Sequence, residues 1–519
     1  MLALLLGSTP SDFRVLPHLL APHRDSMIVN WHTEEGERGE LTLIGPGGTK
    51  VLVSQPKLTP ILNYSALEEK ERGAFPDMFG NRNFKHQVKL SGLQPNTIYR
   101  YAVKQGDSQH RGEFRTPPTH KGERPIRVTV FADTETDPEG RTTFRDWSIG
   151  TQDPASTGRP AGQTKYLVTE TQGFIENLKM IRMRKPDLML LAGDIVQGGG
   201  YQRAWDEFFF HMAGKFDDPI SSIPLIPAIG NWENFGARVG GYEPWAIANA
   251  RRKYSAYFDA PSNGSSDHEN FYHRVDFGPI TVITLDSSNG LPDNTDNDTN
   301  KNIDAAKYPG RDLVDCAPGS RQWEWCLREL ASARKAGQVI FVQFHHIPYS
   351  GGGHSLPTSL ADSSGQSGLT MRAYTPWFQK YGVAAVFCGH NESFEWSAVG
   401  DVQFFDAGVA GDGLGSPVDD RDPRRFNPWR KWVAHFDEKE LWNGPQLVQG
   451  GKHYGHLEVD LEKRGPAWMV TYTPVHSFPV TNERGEVIRF ERRPAGKPWS
   501  HYPGAVEAPL AEGGAGRRP

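Results

Sequence analysis

Apolar positions in the first part of the chain recur at every second residue. In "SMIVNWHT" (Ser26–Thr33), Met27, Val29 and Trp31 fall on one face of an extended strand. The stretches "ELTLIG", "KVLVS" and "TIYRYAVKQG" keep that period, which predicts an all-β unit over residues 1–118, and Pro117-Pro118 then breaks the pattern. From Ile126 onward, short apolar runs alternate with helical segments. "FIENLKMIRMRK" (Phe174–Lys185) places Phe174, Leu178 and Ile181 on one helical face. "SRQWEWCLRELASARKAG" starts at a Ser320 N-cap and ends at Gly337, with Trp323, Leu327 and Leu330 inward. Strand alternating with helix predicts an α/β layered domain over residues 119–483. The long loops Thr136–Lys165 and Ser288–Ser320 interrupt it, and loops of that length usually carry function or move. From Arg484 the chain turns charged and Pro/Gly-rich, which predicts a loose tail over 484–519.

Composition narrows the class. A chain of 519 residues is too long for one compact core, so two or more domains are expected. Its 37% hydrophobic and 23% charged residues are those of a folded soluble protein. A net charge of −5 gives no basic face for nucleic acid, so none is expected as a partner. No apolar stretch approaches the roughly 20 residues needed to span a bilayer. The opening "MLALLLGSTPSDF" reads either as a trimmed signal sequence or as a first strand. Cys316 and Cys326 are spaced so that they could close a small disulfide loop in an oxidising compartment, whereas Cys388 lies in an apolar run and reads as core. The compartment stays open, with a periplasmic or secreted location favoured, and the oligomeric state is not legible.

The apolar runs share one feature: each ends in a residue able to bind a metal. "IRVTVFAD" ends at Asp133, with Glu135 two residues on. "DLMLLAGD" ends at Asp194, "IPLIPAIGN" at Asn231, "QVIFVQFHH" at His345 and His346, and "VAAVFCGH" at His390, with Glu392 two further on. A lone Gly-Asp or His after a strand is more often a turn or a satisfied core residue. In open α/β sheets, however, ligands bind beyond the carboxyl ends of the strands. Buried strands delivering Asp, Asp, Asn, His and His to one edge would assemble a cation site from positions far apart in sequence.

In that order, Asp133, Gly193-Asp194, Gly230-Asn231, "HHIPYS" and Gly389-His390 resemble the calcineurin-like metallophosphoesterase superfamily. The front part adds to this. "LSGLQPNTIYRYAV" leading to "GEFRTPP" resembles a fibronectin type III-like sandwich, with Tyr99 at the position whose hydroxyl bonds back to upstream backbone. Together they look closest to the purple acid phosphatase branch and its bacterial relatives. The resemblance implies a four-layer α/β/β/α domain behind an all-β sandwich. It also implies two metal ions sharing a bridging aspartate and a hydroxide, with small phosphate esters as substrates. Carried over residue by residue, Asp194 would bridge the metals, Asn231, His345 and His390 would complete the second site, and Asp133 would hold the first.

The departures from the family pattern are equally specific. "GDIVQ" puts Gln197 where the purple branch has the tyrosine that gives its colour, and "GHNE" puts Glu392 where the family has a second imidazole. "DTE" adds Glu135, and "GNWENFG" puts Trp232 in place of the histidine that follows the asparagine ligand. The first metal would then sit among Asp133, Glu135, Asp194 and Glu392. An oxygen-only set of that kind suits Mn²⁺, Ca²⁺, Mg²⁺ or ferric iron better than Zn²⁺. Glu135 and Glu392 read equally as groups that orient a water or pair with an arginine behind the ligands, and Gln197 reads as a hydrogen-bonding neighbour.

Trp232 can neither bind a metal nor shuttle a proton. Three routes compensate for the lost acid: a nearby histidine (His346, His354 or the more distant His211), a substrate with a good leaving group, or stacking of an aromatic leaving group on the Trp232 ring. His346 also reads as structural, and Trp232 as packing beneath the site. The leading function is a dinuclear metal-dependent phosphoesterase, leaning toward diesters because extra carboxylates repel a dianionic monoester more. The competing reading is a lapsed enzyme that keeps the fold as a binding or scaffold module; a nuclease is disfavoured by the acidic balance. Asp293, Asp296 and Asp298 make either a solvated acidic loop or a structural Ca²⁺ site, and the glycines of "GVAGDGLGSP" resemble a family loop near the centre.

Overall fold

The computed structural model describes residues 12–146, 158–266, 268–288, 314–355, 367–412, 414 and 426–503. The opening run up to Ser11 and the acidic Asp293, Asp296 and Asp298 lie outside them, as do parts of both long loops and of the Gly408–Pro417 stretch. Among the described residues no helix is long and apolar enough to cross a membrane.

The chain opens with two four-stranded antiparallel sheets. One contains Phe13–His23, Ser26–Thr33, Phe84–Ser91 and Lys57–Leu58; the other Gly48–Ser54, Gly39–Gly45, Ile98–Gln105 and Ser108–Arg115. The predicted alternation is realised: Met27, Val29 and Trp31 are fully buried against Leu41, Tyr101 and Phe114 between the sheets. Tyr99 staples the corner, its hydroxyl accepting the Gln94 N–H at 2.8 Å. On the opposite face of Ser26–Thr33, Asn30 and His32 are buried too, because that end lies on the second half of the molecule. The His32 ring sits 5.0 Å from that of Tyr257, Arg14 pairs with Asp206 at 3.1 Å, and the Tyr101 hydroxyl donates to the Ser221 carbonyl at 2.7 Å.

Two seven-stranded mixed sheets follow. In the first, Leu225–Ala228, Leu188–Ala192 and Ile126–Phe131 run parallel and are continued by Gly455–Arg464, Ala467–Thr481 and Val487–Pro494. In the second, Ile280–Thr284, Val339–His346, Val383–Gly389 and Val402–Ala407 are the parallel strands. Alternation gives each strand two apolar faces. Val128, Leu190, Phe341 and Phe387 fill the space between the sheets, while Met189, Leu191, Ile340 and Val342 join the outer core with Phe174, Leu178 and Ile181. The helices Glu170–Arg184 and Arg321–Lys335 close the outer layers, giving the expected α/β/β/α order. The Ser320 cap holds as read, accepting the Trp323 N–H at 3.2 Å, although Leu327 is only half buried.

The loose tail expected from Arg484 is corrected. Val487–Pro494 and Trp499–His501 both pair with Ala467–Thr481 as strands of the first sheet. Their charged, exposed character is that of an edge strand, which composition alone does not separate from a tail. Cys316, Cys326 and Cys388 are buried thiols outside any disulfide.

Candidate metal centre

The three parallel strands of the first sheet and two of the second end at one place. Asp133, Asp194 and Asn231 arrive just past the ends of Ile126–Phe131, Leu188–Ala192 and Leu225–Ala228. His345 and His390 arrive at the ends of Val339–His346 and Val383–Gly389. All five are buried. The centre therefore spans the carboxyl edges of both sheets, which no single βαβ unit could build.

Backbone conformation marks the site independently. Asp133, Glu135, Asp194, His390 and Glu392 have φ of 54, 36, 50, 80 and 46°, and they are five of the ten non-glycine residues with positive φ among those described. A left-handed residue other than glycine costs about 1–2 kcal/mol, so the surrounding contacts over-determine these turns. Glycine is required beside two of them for space: a Cβ on Gly230 would strike the Asp194 carboxylate, and one on Gly389 the Asp133 carboxylate.

Asp194 is the hub. Its Oδ2 lies 2.8 Å from Nε2 of His345, whose Nδ1 donates to the Ala192 carbonyl at 3.0 Å and so turns Nε2 toward the centre. Its Oδ1 accepts the Trp232 N–H at 2.9 Å. Asn231 Oδ1 lies 2.9 Å from His390 Nδ1, and both oxygens of Asp133 face the His390 N–H, at 3.1 and 2.9 Å. Behind them Glu233 accepts three backbone N–H groups, those of Ile195, Val196 and Gly230, and so ties the asparagine turn to the aspartate turn. Burial, then the charge of Asp194, pushes the Glu233 carboxyl up to about 8.

Three triads of ligand atoms lie within 4.8 Å of one another: Asp194–His345–His390, Asp133–Glu135–Asp194, and Glu135–Glu392–Asp412. Asp194 belongs to the first two. Glu392 thus joins Glu135 and Asp412 rather than the Asp133–Asp194 pair. Asp412 escaped sequence reading because it follows no strand end; it sits in the glycine-rich loop after Val402–Ala407, its N–H donating to the Asp133 carbonyl at 3.1 Å. The Glu135 carboxylate, on a residue 5% exposed, accepts no hydrogen bond from the described residues. Asp133 and Glu135 are both raised well above the usual carboxylate range, first by burial and then by neighbouring carboxylates. Two built-in cations also reach the cluster. Lys452 donates to the Glu392 carbonyl, and Arg145 pairs with Asp412 and, at 2.7 Å, with Glu170. This donor set fits two cations side by side: an imidazole-bearing triad and a carboxylate triad, joined by one aspartate.

The remaining predicted residues are distributed around this core. His346 is fully buried, its Nδ1 2.8 Å from the Ser287 hydroxyl and its ring 4.4 Å from that of His390. The half-buried His354 also packs on His390, at 4.6 Å. His211 lies apart, between Phe174 and Phe216 and 3.6 Å from Glu207. Trp232 is half buried, with its ring edge-on to Phe235 at 5.4 Å. Gln197 is half buried and donates its N–H to the Thr136 carbonyl at 3.2 Å.

Comparison with known proteins identifies the two domains. The purple acid phosphatase N-terminal domain family matches residues 16–116. An uncharacterised Mycobacterium tuberculosis (strain H37Rv) protein is 26% identical over 383 residues, 72% of this chain and 59% of that protein, so the chain spans well under two thirds of that relative's length. A probable purple acid phosphatase of Arabidopsis thaliana is 21% identical over 431 residues, covering 80% of this chain and 81% of that one. Among solved structures, the purple acid phosphatase from yellow lupin (Lupinus luteus) seeds superposes with a TM-score of 0.57 at 15% identity, over 92% of this chain and 73% of that one; at that identity the likeness is one of fold. The calcineurin-like phosphoesterase family matches residues 126–391, just over half the chain, and the protein belongs to that family.

Proposed function

We propose that this chain is a working dinuclear phosphoesterase that favours phosphodiesters, or takes diesters and monoesters together. The observation that carries the reading is the sharing of Asp194 between an imidazole-bearing triad and a carboxylate triad. Asp194, Asn231, His345 and His390 would hold one ion, and Asp133, Glu135 and Asp194 the other, with Glu392 and Asp412 bordering it. Bound metal of this kind polarises a phosphoryl group and activates water for in-line attack. The oxygen-rich triad suits Mn²⁺, Ca²⁺, Mg²⁺ or ferric iron, while the triad with two imidazoles also accepts Zn²⁺.

The chain's own groups orient and tune. Asp194 is fixed by the Trp232 main chain and by His345, so the shared carboxylate keeps one direction. His354, half buried and against His390, is the histidine placed to hand a proton to a departing oxygen. His346, held by Ser287 and fully buried, positions His390 instead. The Trp232 ring offers a flat wall for an aromatic leaving group. A carboxylate beyond those needed for two ions, Glu392 above all, repels a dianionic monoester more than a monoanionic diester.

Turnover of bis-p-nitrophenyl phosphate beside p-nitrophenyl phosphate tests the preference. The expected result is a kcat/KM for the diester at or above that for the monoester. A monoester turned over better would remove the diester assignment and leave the phosphoesterase.

A further inference from the structure

Glu135 and Glu392 bring negative charge to the centre, and the fold brings two cations with them. Arg145 divides its charge between Asp412 and Glu170, and its side chain is 27% exposed. The second cation, Lys452, is 3% exposed. Water and salt screen the first charge far more than the second.

Topology explains the place of Lys452. It lies just before the strand Gly455–Arg464, which runs antiparallel to Ile126–Phe131 with Leu457 opposite Val130. The start of the one strand therefore meets the end of the other, where the chain continues to Asp133. The Gly455 N–H donates to the Val409 carbonyl at 2.8 Å and ties the same point to the glycine-rich loop. From there the ammonium donates to the main-chain carbonyl of Glu392, a residue held at a φ of 46°.

The surroundings of that ammonium are acidic and dry. Asp133 and Asp406 are both fully buried, and a Cβ on Gly408 would come 2.0 Å from a carboxylate oxygen of the first and 3.0 Å from one of the second. Asp406 accepts the Ser393 hydroxyl at 2.8 Å and the Gly408 N–H at 3.1 Å. Burial opposes the charge of Lys452, and the carboxylates of Glu392, Asp406 and Asp133, in that order, support it.

A fixed charge acts on an ion in proportion to the charge of that ion, so an ammonium here repels a trivalent cation half as much again as a divalent one. We propose that Lys452 is a specificity-determining counter-charge, which tilts the carboxylate side of the centre toward divalent over trivalent cations. The inference rests on the metal centre proposed above and adds the residue that governs its choice of ion.

The test titrates the whole, metal-stripped protein with terbium(III) in competition with Ca²⁺. These ions are close in size and both take oxygen ligands, so the ratio of their affinities reads charge. Terbium luminescence that is lost in Glu135→Gln is assigned to the carboxylate side. Lys452→Met should raise the terbium-to-calcium ratio by about tenfold or more. Lys452→Gln, which keeps a donor for the Glu392 carbonyl but not the charge, should do the same, and Lys452→Arg should stay near the parent ratio. A merely structural role would weaken both ions together and leave the ratio unchanged, which would overturn the proposal. So would a Lys452→Arg ratio shifted as far as that of Lys452→Met. Turnover is not read, so a protein that binds both ions decides the matter even where no ester is hydrolysed. Absence of any Glu135-dependent binding would overturn the proposal and the metal centre together.

Discussion

Trp232 holds Asp194 through its main chain, the N–H donating to Oδ1 at 2.9 Å. The side chain of residue 232 takes no part in that bond. An indole at this position therefore leaves intact the carboxylate shared by the two triads. Trp232→His should raise kcat on alkyl phosphates, whose leaving group needs a proton, by about 10²-fold. Nitrophenyl esters, which leave unaided, should change little. Steady-state kinetics on both substrate classes decides it, and an equal rise for the two would contradict the role given to this position.

Glu392 lies with Glu135 and Asp412, so its replacement changes the donor chemistry of the carboxylate side alone. Glu392→His should raise Zn²⁺ affinity relative to Mn²⁺ by about tenfold or more, the scale on which single changes around a metal act. Competition with a chelator measures it. An unchanged ratio would show that Glu392 does not face a bound ion.

Glu233 takes three backbone N–H groups from two turns. Glu233→Ala leaves those buried donors without an acceptor, at about 1–3 kcal/mol for each one unsatisfied. Chemical denaturation should show a loss of about 3 kcal/mol or more, together with weaker metal retention. A loss below about 1 kcal/mol would mean that water replaces the carboxylate without penalty.

The junction between the sandwich and the second half sets an acid limit. His18 is fully buried there, with Nδ1 donating to the Leu16 carbonyl at 3.1 Å, and burial lowers it to about 4; His32 is also buried and held well below its ordinary value. A histidine that is neutral when folded and takes up a proton when unfolded makes the unfolded chain bind more protons below about 6.5. Its contribution is complete above that pH and is lost as pH falls from about 6.5 toward 4, amounting to about 2 kcal/mol for His18 by pH 5. Carboxyls raised by burial, Glu233 among them, act in the opposite sense, so the contribution is read by comparison: on going from pH 7 to pH 5, His18→Gln should lose about 2 kcal/mol less stability than the parent protein.

Much of the candidate centre was legible in the sequence because its residues terminate buried parallel strands, where an apolar run meets a polar stop. Asp133, Asp194, Asn231, His345 and His390 all carry that signature, and the structure brings them together. What surrounds them was less legible. Asp412, Arg145 and Lys452 come from loops or a short strand with no such boundary, and only the three-dimensional fold brings them to the cluster. Adjacent histidines posed a different difficulty: His345 and His346 read alike, and the Ser287 hydroxyl that engages His346 lies 59 residues away in the chain. The strand Val487–Pro494 was misread as tail because an edge strand needs little apolar sequence to pair.

The most direct test of the account is the activity of metal-stripped protein re-supplied with Mn²⁺, Ca²⁺, Zn²⁺ or iron, beside an Asp194→Asn control and with bound metal counted for both. The account predicts two ions per chain, turnover of nitrophenyl phosphates restored by metal, and loss of both turnover and one or more ions in the control. Failure of every metal to restore turnover, in a protein that still binds two ions, would contradict it and assign the fold to binding alone.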